Sequence, residues 1–187
     1  MKMHRNSQKR FKFDHAIYFV TTNTKDKFAY FENKFLCELF IEELKVCKRL
    51  KGFKLYGFCI LRDHVHLLIE PNKEFGISKV MKSLKENFSR DVNRIINKEY
   101  TDLEGDTWTC RFPIQRYIYD QIQKQNLNRF VFFPEFKWQK SFHDHYIRND
   151  KDFENHLQYT VYNFAKPEGY LSDYKYSSLN FSELIDN

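Results

Sequence analysis

Two apolar runs meeting at a two-residue polar corner constrain this chain more than anything else in it. Leu55-Tyr56-Gly57-Phe58-Cys59-Ile60-Leu61 is followed by Arg62-Asp63 and then by His64-Val65-His66-Leu67-Leu68-Ile69. Both runs are β-branched and aromatic-rich and have strand length, and Arg62-Asp63 suits a hairpin turn. Side chains alternate faces along a strand, so His64 and His66 project to one side, about 7 Å apart along the backbone, while Val65 points into a core. Two imidazoles so placed can converge on one cation. An isolated His-x-His is equally at home as half-buried sheet residues with satisfied ring nitrogens, and the pair gains meaning only from a third ligand and a reactive group beside it.

The 187 residues are enough for one domain with a core of its own. Residues 1–187 therefore read as a single domain, with a basic arm at 1–13 and an elaboration at about 99–136. Aromatic residues reach 18%, against only 5 Gly and 4 Pro, which points to a compact rather than a disordered chain. An excess of 31 Lys+Arg over 25 Asp+Glu leaves +6 and a pI near 9.0, a balance that favours a polyanionic partner. No apolar run approaches the ~18 residues of a membrane span. The start Met1-Lys2-Met3-His4-Arg5 leads into no apolar stretch, so a secretory signal is not expected. Cys37, Cys47, Cys59 and Cys110 are scattered without a C-x-x-C pair, as reduced thiols of a cytoplasmic protein would be.

Along the chain, Lys2, Arg5, Lys9, Arg10 and Lys12 make the arm either a solvated tail or a contact for a phosphate backbone. Ile17 to Thr22 reads as a buried strand. Asn33 is placed to cap a helix whose apolar residues Phe35, Leu36, Leu39, Phe40 and Leu44 recur at helical spacing until Gly52 stops it. After the hairpin, Ser78 to Asn97 reads as a second helix, with Val80, Met81, Leu84, Phe88 and Val92 on one side. Lys79, Lys82, Arg90 and Arg94 fall on the other, as a solvated face or as a track for phosphates. The stretch 99–136 mixes aromatics with cations and has no clear periodicity. His143 to Arg148 is strand-like, and Asn149-Asp150 caps a last helix running to about Ala165.

On that helix Phe153, Leu157, Val161 and Phe164 fall within an arc of about 80° and define a core stripe. Tyr159 and Asn163 lie off it, four residues apart and so one above the other, with His156 sharing their face. Such a tyrosine taken alone carries no chemistry. Packed over His64 and His66, this face would add an amide oxygen from Asn163 and a phenol from Tyr159. Three neutral ligands would leave a divalent ion its full charge for gripping phosphodiester oxygens. His156 competes with Asn163 as third ligand, and Tyr162 with Tyr159 as nucleophile.

With these pieces in order, the chain resembles the single-tyrosine HUH transposases, specifically the REP-associated tyrosine transposases. The likeness rests on Ile17 to Thr22, the block Tyr56 to Leu68, the block Trp138-Gln139 through Asn149, the helix bearing Tyr159 and Asn163, and Tyr174-Lys175-Tyr176-Ser177-Ser178. It implies an α+β ferredoxin-like sandwich, an antiparallel sheet with helices packed on it. It further implies His64, His66 and Asn163 as ligands of Mg2+ or Mn2+, and Tyr159 as the nucleophile that cleaves single-stranded DNA near a hairpin through a 5′-phosphotyrosine, freeing a 3′-OH. The partner would be single-stranded or hairpin DNA, bound by a monomer or homodimer, with Arg10, Lys12, Lys79, Lys82, Arg90 and Arg94 as candidate DNA contacts. Family members often carry Asn-Pro followed closely by Gly after the tyrosine. Here Phe164 follows Asn163, and proline waits until Pro167. Other readings are a hairpin-binding module without turnover, an RNA-binding sheet, which leaves the histidines unexplained, and a zinc hydrolase, which would more often recruit a carboxylate or cysteine.

Overall fold

A computed structural model describes residues 16–96, 117, 134–162 and 175–186. The order is β1 (Tyr18–Asn23), α1 (Lys34–Lys51), β2 (Lys54–Leu61), β3 (His64–Glu70), α2 (Ile77–Ile96), β4 (His143–Tyr146) and a last helix, here α3 (Asp150–Tyr162). The four strands form one antiparallel sheet in the order β2-β3-β1-β4. Strand β3 thus lies between β1 and β2, the split βαβ arrangement of a ferredoxin-like sandwich. The histidine-bearing strand is therefore interior to the sheet.

The hairpin closes as expected, with Leu61 opposite His64 and Arg62-Asp63 as the turn. Thr24 locks the corner, its backbone N–H and its hydroxyl both donating to the Asp63 carbonyl at 2.8 and 2.9 Å. Helix α1 begins where the Asn33 side chain accepts the Phe35 N–H and ends at Gly52, whose φ of 57° is left-handed. A Cβ there would also meet the Asn72 side-chain amide at 2.9 Å, a contact that side chain can yield, so the left-handed φ is what favours glycine.

Alternation divides the sheet into two faces. Val20, Val65, Leu67, Ile69, Phe58 and Ile60 belong to the main core with the apolar stripes of α1 and α2. Much of the aromatic excess is spent here. Phe88 lies 5.7 Å from Phe31, 5.2 Å from Phe40, 5.0 Å from Phe136 and 5.6 Å from Trp138, ring to ring. Phe136, at the end of the expected elaboration, is a core residue bracketed by the Asn93 side chain, which accepts its N–H and donates to its carbonyl.

Helix α3 covers the opposite face, over β2 and β3. It approaches closely because Gly57 has no side chain. A Cβ at Gly57 would stand 3.2 Å from Leu157 and 3.6 Å from Thr160. The buried residue of α3 is Thr160, not one of the apolar stripe, with its hydroxyl satisfied by the His156 carbonyl at 2.6 Å. Phe153 packs edge-on to Tyr56 at 5.4 Å. The outer edge of β2 is covered by the C-terminal segment. Cys59 bridges to Ser177, Leu55 exchanges hydrogen bonds with Asp186, and Asp186 pairs with Lys48 at 2.7 Å.

The arm 1–13 with Arg10 and Lys12, most of 99–136, Cys110, and Asn163 lie outside the described residues. Cys37, Cys47 and Cys59 are buried and form no disulfide among the described residues.

Candidate active site

On the face beneath α3, His64 and His66 present their rings side by side with centroids 4.8 Å apart, as their spacing requires. Each ring is turned by an oxygen at Nδ1. The His64 Nδ1–H donates to the Asp63 carboxylate at 2.6 Å, and His66 Nδ1 lies 2.9 Å from the Thr21 hydroxyl, directly across the strand pair. A carboxylate at Nδ1 keeps the hydrogen there and leaves Nε2 of His64 as the ligating atom, and the Thr21 hydroxyl does the same for His66 when it accepts from Nδ1, so these two imidazoles suit a divalent cation. Their chemistry fits the metal expected from the sequence.

Tyr159 closes the arrangement. Its ring is 5.3 Å from the His66 ring, although the two residues lie on different elements far apart in the chain. Phe19 on β1 organises the group from below, stacking on His66 at 5.1 Å, meeting Tyr159 edge-on at 5.6 Å and touching His156 at 5.0 Å. Tyr159 is 39% exposed, so its phenol is reachable by a large substrate. The rival Tyr162 is on the more exposed side of the helix, at 55%, not nearer the core. Burial pushes the phenols of Tyr30, Tyr56 and Tyr176 above the usual range, Tyr56 further through its hydrogen bond to Glu70. Those three are held protonated.

His156 does not join His64 and His66. Its ring stacks on His145 of β4 at 4.5 Å, and both rings meet the Asp152 carboxylate at 3.0 Å. The Arg148 backbone N–H above all, helped by the two imidazoles, holds that carboxyl below its usual range against the burial that would raise it. Sequence reasoning missed this trio. His143-Asp144-His145 repeats the alternate-histidine pattern, and Asp152 and His156 stand four apart on a helix, so a signal was present.

The cations of α2 lie on the other helix layer. Lys79 sits 5.7 Å above the Phe75 ring, Lys82 faces Glu86 at 3.8 Å and Arg90 faces Asp91 at 3.3 Å. Beside them a groove of 660 Å³ runs between α2 and residues 135–142, lined by Lys25, Lys82, Lys85, Lys137 and Lys140 and by two carboxylates, Glu86 facing Lys82 and Glu135 paired with Lys137.

Residues 12–131 match the family described as IS200-like transposases. A protein of Haemophilus influenzae carrying the provisional name REP-associated tyrosine transposase is 28% identical over 169 residues, covering 88% of this chain and 80% of the relative. The solved structure of a REP-associated tyrosine transposase bound to a REP hairpin shares the fold, with a TM-score of 0.61 at 18% identity, over 100% of this chain and 89% of that one.

Proposed function

The chain belongs to the IS200-like transposase family, and we propose that it is a tyrosine transposase, a single-stranded DNA endonuclease and strand transferase acting beside DNA hairpins through a 5′-phosphotyrosine. The observation carrying this reading is the Tyr159 ring 5.3 Å from the His66 ring. The family match ends at residue 131, before Tyr159, so the assignment of the nucleophile rests on that geometry and not on the match.

In this reading Tyr159 Oη attacks the scissile phosphorus. A phosphorus–Oη bond forms as the phosphorus–O3′ bond breaks, the phenolic proton passes to solvent, and the departing 3′ oxygen takes up a proton as a free 3′-OH. The phosphotyrosine keeps the energy of the broken ester, so a second 3′-OH can reverse the attack and join strands. His64, His66 and Asn163 would hold a divalent ion, Mg2+ or Mn2+, supplying positive charge to the phosphate oxygens. Thr21 and Asp63 orient the rings, and Phe19 keeps the Tyr159 ring against His66. The lysine-lined groove beside α2, with the candidate contacts Lys79, Lys82, Arg90 and Arg94, offers positive charge to hairpin phosphates.

The test is to incubate the full chain with hairpin oligonucleotides from the flanks of its own gene, with and without Mn2+, and resolve the products under denaturing conditions. A slow-migrating covalent band is expected that needs the metal and disappears in Tyr159→Phe, while hairpin affinity changes less than twofold. Binding without any covalent band would make the protein a hairpin-binding module instead.

A further inference from the structure

Strand β4 and the first turns of α3 assemble a second set of metal-ligating side chains, apart from the His64 and His66 pair. The Asp152 carboxylate stands 3.0 Å from His145 Nε2 and 3.0 Å from His156 Nδ1. One ligand atom from each of the three lies within 4.8 Å of the others. Their side chains are 36%, 20% and 24% exposed, so the cluster is partly enclosed yet open to an entering ion. We propose that His145, Asp152 and His156 bind a zinc-class divalent ion.

The donor set supports this choice. Two imidazoles and one carboxylate are a common zinc set, with a remaining position left to water. Asp152 is already anchored by the Arg148 backbone N–H at 3.0 Å, which orients its carboxylate as outer hydrogen bonds orient metal ligands. The stacked rings, 15° from parallel, are held on two different elements, so little of the site must be ordered on binding. His156 Nδ1 also lies 2.8 Å from the Asp152 backbone oxygen, so in the metal-free protein its hydrogen serves that carbonyl. To ligate through Nδ1 the neutral ring would carry its hydrogen on Nε2 instead.

One ion cannot serve both sites. His66 is on β3 and His145 on β4, with β1 between them and Phe19 in the gap. Two strand spacings put the sites about 10 Å apart. A metal here would tie β4 to the first turns of α3, and Tyr159 follows His156 on the same helix by three residues. The site is independent of the DNA reaction, because its ligands exist whether or not Tyr159 attacks phosphorus.

Metal-stripped full-length protein should be titrated with Zn2+ by calorimetry and with Co2+ by visible absorption, in three forms: wild type, His64→Ala with His66→Ala, and His145→Ala with His156→Ala. Wild type is expected to take up two equivalents, the His64/His66 variant to keep one of them, and the His145/His156 variant to lose that one, with the part of the cobalt absorption that the His64/His66 variant keeps. Asp152→Asn, which keeps an oxygen for the Arg148 N–H, should weaken Zn2+ at least tenfold with an unchanged circular dichroism spectrum. The proposal is overturned if the His64/His66 variant binds no metal, if the His145/His156 variant binds as wild type does, or if Asp152→Asn leaves the affinity intact.

Discussion

Thr21 is a small residue with a large claim on the site, because its hydroxyl is what turns His66. The sequence places His64 and His66 on one face by simple alternation, but nothing in it names the group across the strand that selects which ring nitrogen faces outward. Outer hydrogen bonds of this kind are typically worth about 10 to 100-fold in metal affinity. Thr21→Val preserves shape and strand preference, so the fold should survive within about 1 kcal/mol. Titrating Mn2+ against covalent adduct formation should then require roughly 10-fold or more metal, and an unchanged Mn2+ requirement would remove Thr21 from the site. Asn163 was legible as a ligand candidate through its spacing from Tyr159, and it lies outside the described residues.

At the scale of elements, the placement of α3 decides whether the chain has a site at all. Its wheel separates Tyr159 from the apolar stripe, and the structure keeps that separation but docks the helix through Thr160 and Leu157 onto the bare backbone of Gly57. A glycine inside an apolar strand was readable as weak punctuation. That it is the seat of a helix some hundred residues later was not, because seating depends on which face of the sheet the helix reaches. Gly57→Val should force α3 outward, costing about 1–3 kcal/mol as overpacking does. Urea denaturation measures that cost, and adduct formation should fall more than hairpin binding, since the helix carries the phenol and not the lysine-lined groove. Equal losses in both would mean that the substitution disturbs the whole fold. Helix α1 was the most legible element, because its cap at Asn33 and its left-handed end at Gly52 are local chemistry.

Across the whole molecule, charge and edge protection govern behaviour in solution. The net +6 and the groove lined by Lys25, Lys82, Lys137 and Lys140 predict hairpin affinity that falls steeply with salt. Replacing Lys82 and Lys137 with alanine should weaken every hairpin similarly and flatten the salt slope by roughly one unit per lost phosphate contact, as binding isotherms at several salt concentrations would show. Asp186 closes the β2 edge, and its carboxyl sits below the usual range. Burial pushes it up, but Lys48, the Leu55 N–H and Lys54 together outweigh that. A lowered folded pKa means that its stabilisation is complete above the ordinary carboxylate value and is lost as pH falls through the depressed one. Urea midpoints for Asp186→Asn should therefore lie below wild type at pH 7 and converge with it in strong acid. The order of strands and helices, the hairpin and its paired imidazoles followed from the sequence alone, because period, turn chemistry and capping act over a few residues. The meeting of Tyr159 with His66, and of His145 with Asp152 and His156, was decided only by tertiary structure. Both depend on two elements being pressed onto the same face of one sheet, and burial across the whole core, not any local preference, chooses that face.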